Sequence, residues 1–152
     1  MARPRKWRIV EFVPSELYFI PHGKPRCEID EEVLKVEEIE AIRLKDLEDL
    51  NQDECAERMQ VSRQTFQRIL VEARTKVARA LIEGKALRVA GGDFTRNICN
   101  VFCSKCEREW EDSYENYHKT QEGEYSCPHC GSNETFCCTR KKSFCKGCCK
   151  KR

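Results

Sequence analysis

The stretch that decides the fold of the N-terminal half is residues 52–71, QDECAERMQVSRQTFQRILV. It predicts two helices that cross through a tight turn at residues 60–62, with Ala56 as the small residue where their backbones approach. Gln60 stands where such a turn often has glycine, and left-handed backbone there costs about 1 kcal/mol. The apolar positions fall at the offsets that such a helix pair buries: Cys55, Met59, Val61, Phe66 and Ile69. The stretch therefore predicts a helix-turn-helix.

Capping residues set the bounds of these two helices. Asn51 is a favourable N-cap and predicts a helix that runs to about Met59. Ser62 predicts the start of a longer helix that runs to about Ile82 and ends at Gly84. They are the second and third helices of this half of the chain.

The periodicity of residues 36–47 predicts a first helix upstream. Its apolar stripe comprises Val36, Ile39, Ile42 or Arg43, and Leu47, with acidic residues opposite. We expect that acidic face to meet solvent or a protein partner, and it carries Glu37, Glu38 and Glu40. The three helices predict a mainly α bundle for residues 35–92.

The third helix carries the residues that we expect to contact DNA. Its apolar stripe leaves a polar face outward near the N-terminal end, made of Arg63, Gln64, Gln67 and Arg68, with Thr65 at the margin. A recognition helix presents its N-terminal residues to base edges, where Arg can pair with guanine and Gln with adenine. Further along the helix, the basic side chains suited to contacting DNA phosphates are those of Arg74, Lys76 and Arg79. The alternative is a solvated face on an ordinary helical bundle.

Residues 1–34 predict a basic extended arm with a short strand around Arg8–Phe12, because four prolines interrupt the segment up to residue 26. Arg3, Arg5 and Lys6 on such an arm suit a narrow minor groove. The alternative is a solubilising terminus.

Four cysteines in the C-terminal half have the spacing of a metal site. Cys103 and Cys106 form one C-x-x-C pair, and Cys127 and Cys130 form a second pair after a twenty-residue gap. Two such pairs predict a four-thiolate zinc site with no open position, which makes the site structural. Residues 98–136 therefore predict a small β module of the zinc-ribbon type, which metal binding would stabilise. Iron in the same thiolates is the alternative.

The tail, residues 137–152, combines seven basic residues with five cysteines. Four of the five could close a second metal site, but the sequence leaves the register open; they are Cys137, Cys138, Cys145, Cys148 and Cys149. The alternative is a tail that is redox-active or disordered.

Composition narrows the class of protein. The chain has 152 residues with twelve cysteines and a formal net charge of +2, which hides an acidic segment at residues 27–50 and the basic tail. No signal peptide and no apolar run long enough for a bilayer is evident, so we expect a cytoplasmic protein whose cysteines bind metal. Extracellular disulfide pairing is the alternative. Neither a nucleophile–base pair nor a phosphate loop stands out, so we do not expect an enzyme.

Several blocks of this sequence resemble one family. They are Arg3-Pro4-Arg5-Lys6, Tyr18-Phe19-Ile20-Pro21, residues 38–44 and 46–48, Val61-Ser62-Arg63-Gln64-Thr65-Phe66, and residues 84–89. Over residues 3–92 the chain resembles the UPF0251 (DUF134) family of small prokaryotic proteins, which are named as predicted DNA-binding proteins. Their helix-turn-helix is similar to region 4 of sigma-70 factors. The resemblance implies that the polar face of the third helix meets a promoter-like major groove. No segment resembles the polymerase-binding or strand-opening regions, so a complete sigma factor is not expected.

The function that these observations predict is sequence-specific binding of double-stranded DNA by a transcriptional regulator with a structural zinc ribbon. Two alternatives stay open: a metal- or redox-sensing regulator that uses the C-terminal cysteines, and an electron carrier with iron in the four thiolates. The DNA target and the oligomeric state do not follow from the sequence.

Overall fold

The computed structural model describes residues 6–96, 98–119 and 125–137. The chain divides into two compact units: Arg8–Phe94 forms one, and the described residues from Thr95 onward belong to the other. Within the described residues, every helix is too short or too polar to cross a lipid bilayer.

The first unit combines three α-helices, a 3-10 helix at Arg26–Glu28 and a π-helical turn with short strands. Its elements are β1 Arg8–Ile9, β2 Tyr18–Phe19, β3 Glu31–Leu34, α1 Val36–Ile42, α2 Gln52–Met59, α3 Arg63–Glu83 and β4 Ala86–Val89, and β5 Phe94–Thr95 lies at the division between the units. A three-stranded sheet has the order β2-β4-β3, with β2 antiparallel and β3 parallel to β4. The expectation of a mainly α bundle preceded by an extended arm is therefore incomplete. Three segments of residues 1–34 are strands: β1 lies within the predicted strand at Arg8–Phe12, and β2 and β3 both pair with β4, which returns after α3.

The structure confirms the predicted second and third helices and the turn between them. Asn51 Oδ1 accepts a hydrogen bond from the Glu54 backbone N–H at 2.9 Å, and Glu54 Oε2 accepts one from the Asn51 N–H. Ser62 Oγ accepts one from the Thr65 N–H at 3.1 Å, which caps α3. Gln60 adopts the left-handed conformation expected of it, with φ 53° and ψ 45°, and Gly84 ends α3 with φ 65°.

The first helix agrees with its prediction as far as Ile42 and departs from it beyond that residue. α1 ends at Ile42, and a π-helical turn follows at Arg43–Leu47. The wider turn, in which the Glu48 N–H donates to the Arg43 carbonyl, shifts the phase of the helix. As a result Leu44 is buried, and Leu47 is 80% exposed rather than part of the buried stripe.

The long helix α3 contributes to both apolar clusters of the first unit. One cluster joins α3 to α1, the π-helical turn and α2, and includes Ala41, Leu44, Cys55, Ala56, Met59, Phe66, Ile69 and Leu70. The other joins α3 to the strands, and includes Val10, Leu34, Val36, Ala73 and Val89. Because α3 is packed on both clusters, its remaining exposed face is held in a fixed orientation.

The acidic residues of α1 are inside the unit, and the expectation that they meet solvent or a protein partner is wrong. Glu37, Glu38 and Glu40 are 4%, 1% and 0% exposed. Glu38 accepts hydrogen bonds at 2.8 Å from Lys76 Nζ and one at 2.9 Å from the Lys35 backbone N–H. Buried charges need such partners. The partner from α3 is supplied by tertiary structure, so helical periodicity could not reveal it.

Glu40 belongs to an ion-pair network that ties the N-terminal segment to α1 and α2. Arg43 donates to both Glu40 oxygens at 2.8 and 2.9 Å, and the Glu11 backbone N–H donates to Glu40 Oε1 at 3.1 Å. Arg58 of α2 donates to Glu11 Oε1 at 2.8 Å. Glu48 accepts from both Arg43 and Arg58. The network joins four segments of the chain at one place.

Glu37 fixes the need for glycine at position 92. A Cβ on Gly92 would stand 1.8 Å from Glu37 Oε2, and its φ of +105° also favours glycine. Glu37 Oε1 accepts the backbone N–H of Asp93 at 3.4 Å. Residues 91–93 therefore close over a buried carboxylate.

The second unit is built on a three-stranded antiparallel sheet in the order β7-β6-β8. Its elements are β6 Ile98–Cys103, β7 Glu109–Ser113, α4 Tyr114–Lys119 and β8 Thr135–Cys137. Cys99, Val101 and Tyr117 form its buried apolar cluster, against which Trp110, Tyr125 and Cys137 pack.

We predict that Gly92→Ala lowers the free energy of unfolding of the first unit by about 3 kcal/mol, because the new methyl group meets Glu37 and the backbone is strained. The matched control is Gly23→Ala, since Gly23 also has positive φ (+87°) but nothing lies within 4 Å of its added Cβ. The control is expected to lose about 1 kcal/mol. Urea unfolding followed by far-ultraviolet circular dichroism measures both, and equal losses would contradict the close contact.

We also predict that the first unit loses stability in acid through the network around Arg58. Hydrogen bonds from Arg58 are the main reason that the pKa values of Glu11 and Glu48 lie below the ordinary 4.5. Depressed carboxyl pKa values stabilise the fold above about pH 4.5, and that contribution is lost as the pH falls through the folded-state values. The change Arg58→Gln should flatten the dependence of the unfolding free energy on pH between 6 and 3. Arg88→Gln, at an exposed ion pair with Glu31 outside the network, should leave it unchanged.

Candidate metal centre and nucleic-acid interface

The four predicted cysteine ligands meet at one point in the second unit. Cys103 ends β6, Cys106 follows it in a turn, and Cys127 and Cys130 lie in a second turn before β8. The sulfurs of Cys103 and Cys130 are 3.6 Å apart, as are those of Cys106 and Cys127. All four sulfurs lie within 4.8 Å of one another.

The two cysteine turns have the same backbone design. The N–H of Cys103 donates to the carbonyl five residues ahead, at Arg108, and the N–H of Cys127 does the same to Ser132, at 3.0 and 2.8 Å. In each turn the residue after the second cysteine is left-handed, with φ 56° at Glu107 and 72° at Gly131. This shared geometry is what turns both sulfurs of each pair toward one centre.

The sulfur positions fit a tetrahedral metal ion. Four thiolates at about 2.3 Å from zinc lie about 3.8 Å from each other, close to the two 3.6 Å separations. Four protein sulfurs also complete the coordination of such an ion, so no position remains for a substrate. The group is therefore suited to holding a metal for structural purposes.

Backbone groups around the second turn favour a thiolate. Burial works against ionisation of Cys127, but the backbone N–H groups of His129 and Cys130, together with hydrogen bonds from the Cys106 and Cys130 thiols, lower its pKa to about 7. The His129 N–H lies 3.4 Å from Cys127 Sγ. The His129 ring contacts Arg108, with 3.1 Å between Nδ1 and Nη1, and the edge of Trp110. It therefore flanks the cysteine group and does not take part in it.

A hydrogen-bonded chain stiffens the sheet next to the cysteines. Trp110 Nε1 donates to the Tyr125 hydroxyl at 2.9 Å, and that hydroxyl donates to Asp112 Oδ2 at 2.6 Å. Burial and the Asp112 carboxylate raise the pKa of Tyr125, so the hydroxyl remains a donor at neutral pH. The chain links β7 to the segment that leads into Cys127.

Of the five cysteines predicted to close a second metal site, the structure describes Cys137. It lies in β8 opposite Val101 and packs on the apolar cluster of the second unit. The others lie outside the described residues: Cys138, Cys145, Cys148 and Cys149. Among the described residues, the single group with metal-ligand geometry is the one at Cys103, Cys106, Cys127 and Cys130.

The polar face of α3 is exposed as the sequence predicts. Gln64, Gln67 and Arg68 are exposed, and Thr65 is half-buried. Thr65 Oγ1 accepts a hydrogen bond from Ser62 Oγ at 2.9 Å. Arg63 is 65% exposed, and Nη1 lies 3.6 Å from Asp53, which is exposed as well. A contact of that kind between exposed groups contributes little and leaves the guanidinium available.

The basic residues further along α3 are engaged by acids. Arg74 donates to Asp46 at 2.5 and 3.2 Å, which raises the pKa of Arg74. Lys76 binds the buried Glu38, and Arg79 lies 3.1 Å from Glu32. The sequence showed these three as a basic run on one helix, but the acids come from positions 28 to 47 residues away. For these three residues to contact DNA phosphates, the acids would have to be displaced.

Of the predicted arm residues, Arg3 and Arg5 lie outside the described residues. Lys6 is exposed and belongs to the second unit, while α3 belongs to the first. Lys35 is exposed at the N-cap of α1, and the sequence did not mark it as a cation available to a partner. An isolated lysine has no periodic signal that could have marked it.

Comparison with known proteins gives consistent matches. A family model described as "Protein of unknown function DUF134" matches residues 1–97. A UPF0251 protein of Clostridium beijerinckii is 53% identical over 150 residues, which cover 99% of this chain and 97% of the relative. One of Clostridium tetani is 54% identical with the same coverage, and one of Clostridium botulinum is 53% identical with 91% of the relative covered. No solved structure matches this chain.

We predict that Cys103→Ser reduces the metal content of the purified protein by one equivalent per chain, because a tetrathiolate site loses affinity when one ligand is replaced. Cys27→Ser is the matched control, since Cys27 is exposed and lies outside the four-cysteine group. Elemental analysis of both variants and the unchanged protein measures the difference and separates zinc from iron. The same metal content in Cys103→Ser and Cys27→Ser would rule out a metal at this group.

Proposed function

The chain belongs to the DUF134 (UPF0251) family, and we propose that it is a sequence-specific double-stranded DNA-binding protein that acts as a transcriptional regulator. In this proposal α2, the turn at Gln60 and α3 are a helix-turn-helix, and α3 enters the major groove. The activity is binding and not catalysis.

The observation that carries the proposal is the exposed N-terminal face of α3. Arg63, Gln64, Gln67 and Arg68 point away from a helix whose other sides are packed on two apolar clusters. A rigid helix that offers guanidinium and amide groups at one end meets the requirement for reading base edges. In this proposal Thr65, at the margin of the face, contacts the DNA as well.

The local geometry at the turn supports the same function. Gln60 takes the left-handed conformation, and Ser62 caps α3 through the Thr65 N–H. Both features end α2 and begin α3 within three residues, so the two helices share one apolar cluster. A short turn between two packed helices, with the second helix exposed, is the arrangement that a helix-turn-helix needs.

For the four cysteines we propose one zinc ion in a structural zinc ribbon. The closed set of sulfurs and the two equivalent cysteine turns on a three-stranded sheet support this assignment. Zinc would hold Cys103, Cys106, Cys127 and Cys130 together and so stabilise a unit with a small apolar cluster. A second ion in the tail, and a reducing compartment such as the cytoplasm, are part of the same proposal.

A second candidate function is a regulator that senses metal or oxidant, and the exposure of Cys130 favours it. An exposed sulfur in a thiolate site can be reached by an oxidant. In that case DNA affinity would differ between metal-loaded and oxidised protein, and equal affinity of the two forms would remove this candidate.

We predict that Arg63→Ala and Gln67→Ala each lower the affinity for a selected duplex by about 10- to 100-fold, because each removes a base contact worth about 1–3 kcal/mol. The duplex is obtained by selecting bound sequences from random DNA, and affinity is measured by fluorescence anisotropy. Arg79→Ala is the matched control, since it removes the same charge from the same helix at an arginine paired with Glu32. Absence of binding at low salt, or equal losses at Arg63 and Arg79, would contradict the proposal.

A further inference from the structure

The ion pairs of the first unit leave few cations without an acidic neighbour. Among the described residues from 8 to 94, most lysines and arginines have a carboxylate oxygen within 4.0 Å. The exceptions are Lys24, Arg26, Lys35 and Arg68, and Arg26 lies over the Tyr18 ring. The basic residues that the sequence predicted to contact phosphates, in the C-terminal part of α3, all have such an acidic neighbour. The phosphates of a DNA molecule bound along α3 would therefore have to contact cations other than these paired residues.

Two of these four cations share one cleft. Lys35 at the start of α1 and Arg68 of α3 line a cleft of about 200 Å³, together with Arg8 of β1 and the side chains of Glu37, Glu38, Ile69 and Glu72. Lys35 and Arg68 are exposed, and Arg8 is half-buried with Nη1 3.9 Å from Asp93. Three elements far apart in sequence thus bring three cations to one place on the surface.

The acids of the cleft differ in how far they oppose this charge. Glu38 is buried and bound by Lys76, and Glu37 is buried beneath Gly92. Glu72 is exposed and has no cation within 4.0 Å in the described part of the chain. At the mouth of the cleft Lys35 and Arg68 face solvent. Within the described residues, two carboxylates of the lining have no cation bound to them: Glu72, which is exposed, and Glu37, which is buried.

We propose that this cleft binds a backbone phosphate of the DNA whose bases α3 reads, with Lys35 as the residue that makes the contact. This inference rests on the proposed function. Arg68 lies one helical turn beyond Gln64, so the cleft begins where the base-reading face ends. A phosphate that flanks the major groove is the DNA group nearest to that end of the face. Lys35 acts as a point charge without sequence preference, and Glu72 weakens the site.

A contact to phosphate has a signature in the salt dependence of binding. Each cation that neutralises a phosphate releases counterions, and removing one such cation reduces the slope of log affinity against log salt by about 1. The same loss of affinity should appear on every sequence. A base contact, by contrast, changes the preference between sequences.

The test compares Lys35→Ala with Lys24→Ala by fluorescence anisotropy at several salt concentrations, on the selected duplex and on a scrambled duplex. Lys24 is the matched control, because it is an exposed lysine of the same unit that does not line the cleft. Lys35→Ala should weaken binding to both duplexes by the same factor and reduce the salt slope by about 1, and Lys24→Ala should do neither. Glu72→Gln should strengthen binding to both duplexes. Far-ultraviolet circular dichroism verifies that each variant is folded.

The outcomes separate this inference from the function on which it rests. If the unchanged protein binds the selected duplex and Arg63→Ala weakens it, the proposed function stands. An unaltered slope in Lys35→Ala, or the same change in Lys24→Ala, then overturns the phosphate contact alone. If the unchanged protein does not bind DNA at low salt, both proposals fail.

Discussion

The fold of the first unit depends on the neutralisation of two of the three carboxylates that α1 buries. Glu38 and Glu40 have almost no exposed surface, and they are bound by Lys76 and Arg43. An unpartnered charge in such a position would oppose folding by several kcal/mol. Arg43 lies three residues beyond Glu40 and pairs with it locally, but Glu38 requires α3, which supplies Lys76. The N-terminal segment also reaches Glu40, through the Glu11 N–H. Removing one partner would leave the other charge buried, so these contacts make the arrangement of helices specific.

The same pairings decide where the unit can offer positive charge to a partner. Lys76, Arg74 and Arg79 would form a basic face on α3 if the helix were isolated, but acids from other segments occupy them. Among the described arginines of α3, those without an acid at hydrogen-bonding distance are Arg63 and Arg68, on its N-terminal face. Because the other basic residues of α3 are paired with acids, the remaining basic surface lies at the N-terminal end of the helix, where base edges would be read. The cleft with Lys35 extends that surface to a second element.

The second unit is organised by a different constraint. Its apolar cluster is small, and its two cysteine turns hold four sulfurs at separations that suit a tetrahedral ion. Repetition of one backbone design, with a left-handed residue after each second cysteine, creates this group from two segments. A glycine serves one turn, whereas Glu107 adopts the strained conformation in the other. Folding costs conformational entropy that so small an apolar core cannot offset, and metal binding would offset it instead.

The sequence by itself determined the features that depend on residues a few positions apart. The caps at Asn51 and Ser62, the left-handed Gln60, the bounds of α2 and α3 and the two cysteine pairs are all of this kind, because their hydrogen bonds and ligands are local. Apart from local pairs such as Glu40 with Arg43, tertiary structure alone decided which charges are paired. The Glu11 N–H that reaches Glu40, the Lys76 that binds Glu38 and the Glu11 carboxylate that binds Arg58 lie 29 to 47 residues away from these partners. It also decided that part of the expected arm forms strands, since β4 is added only after α3. Contacts at such separations have no periodic signature, so the acidic face of α1 was expected outside and lies inside.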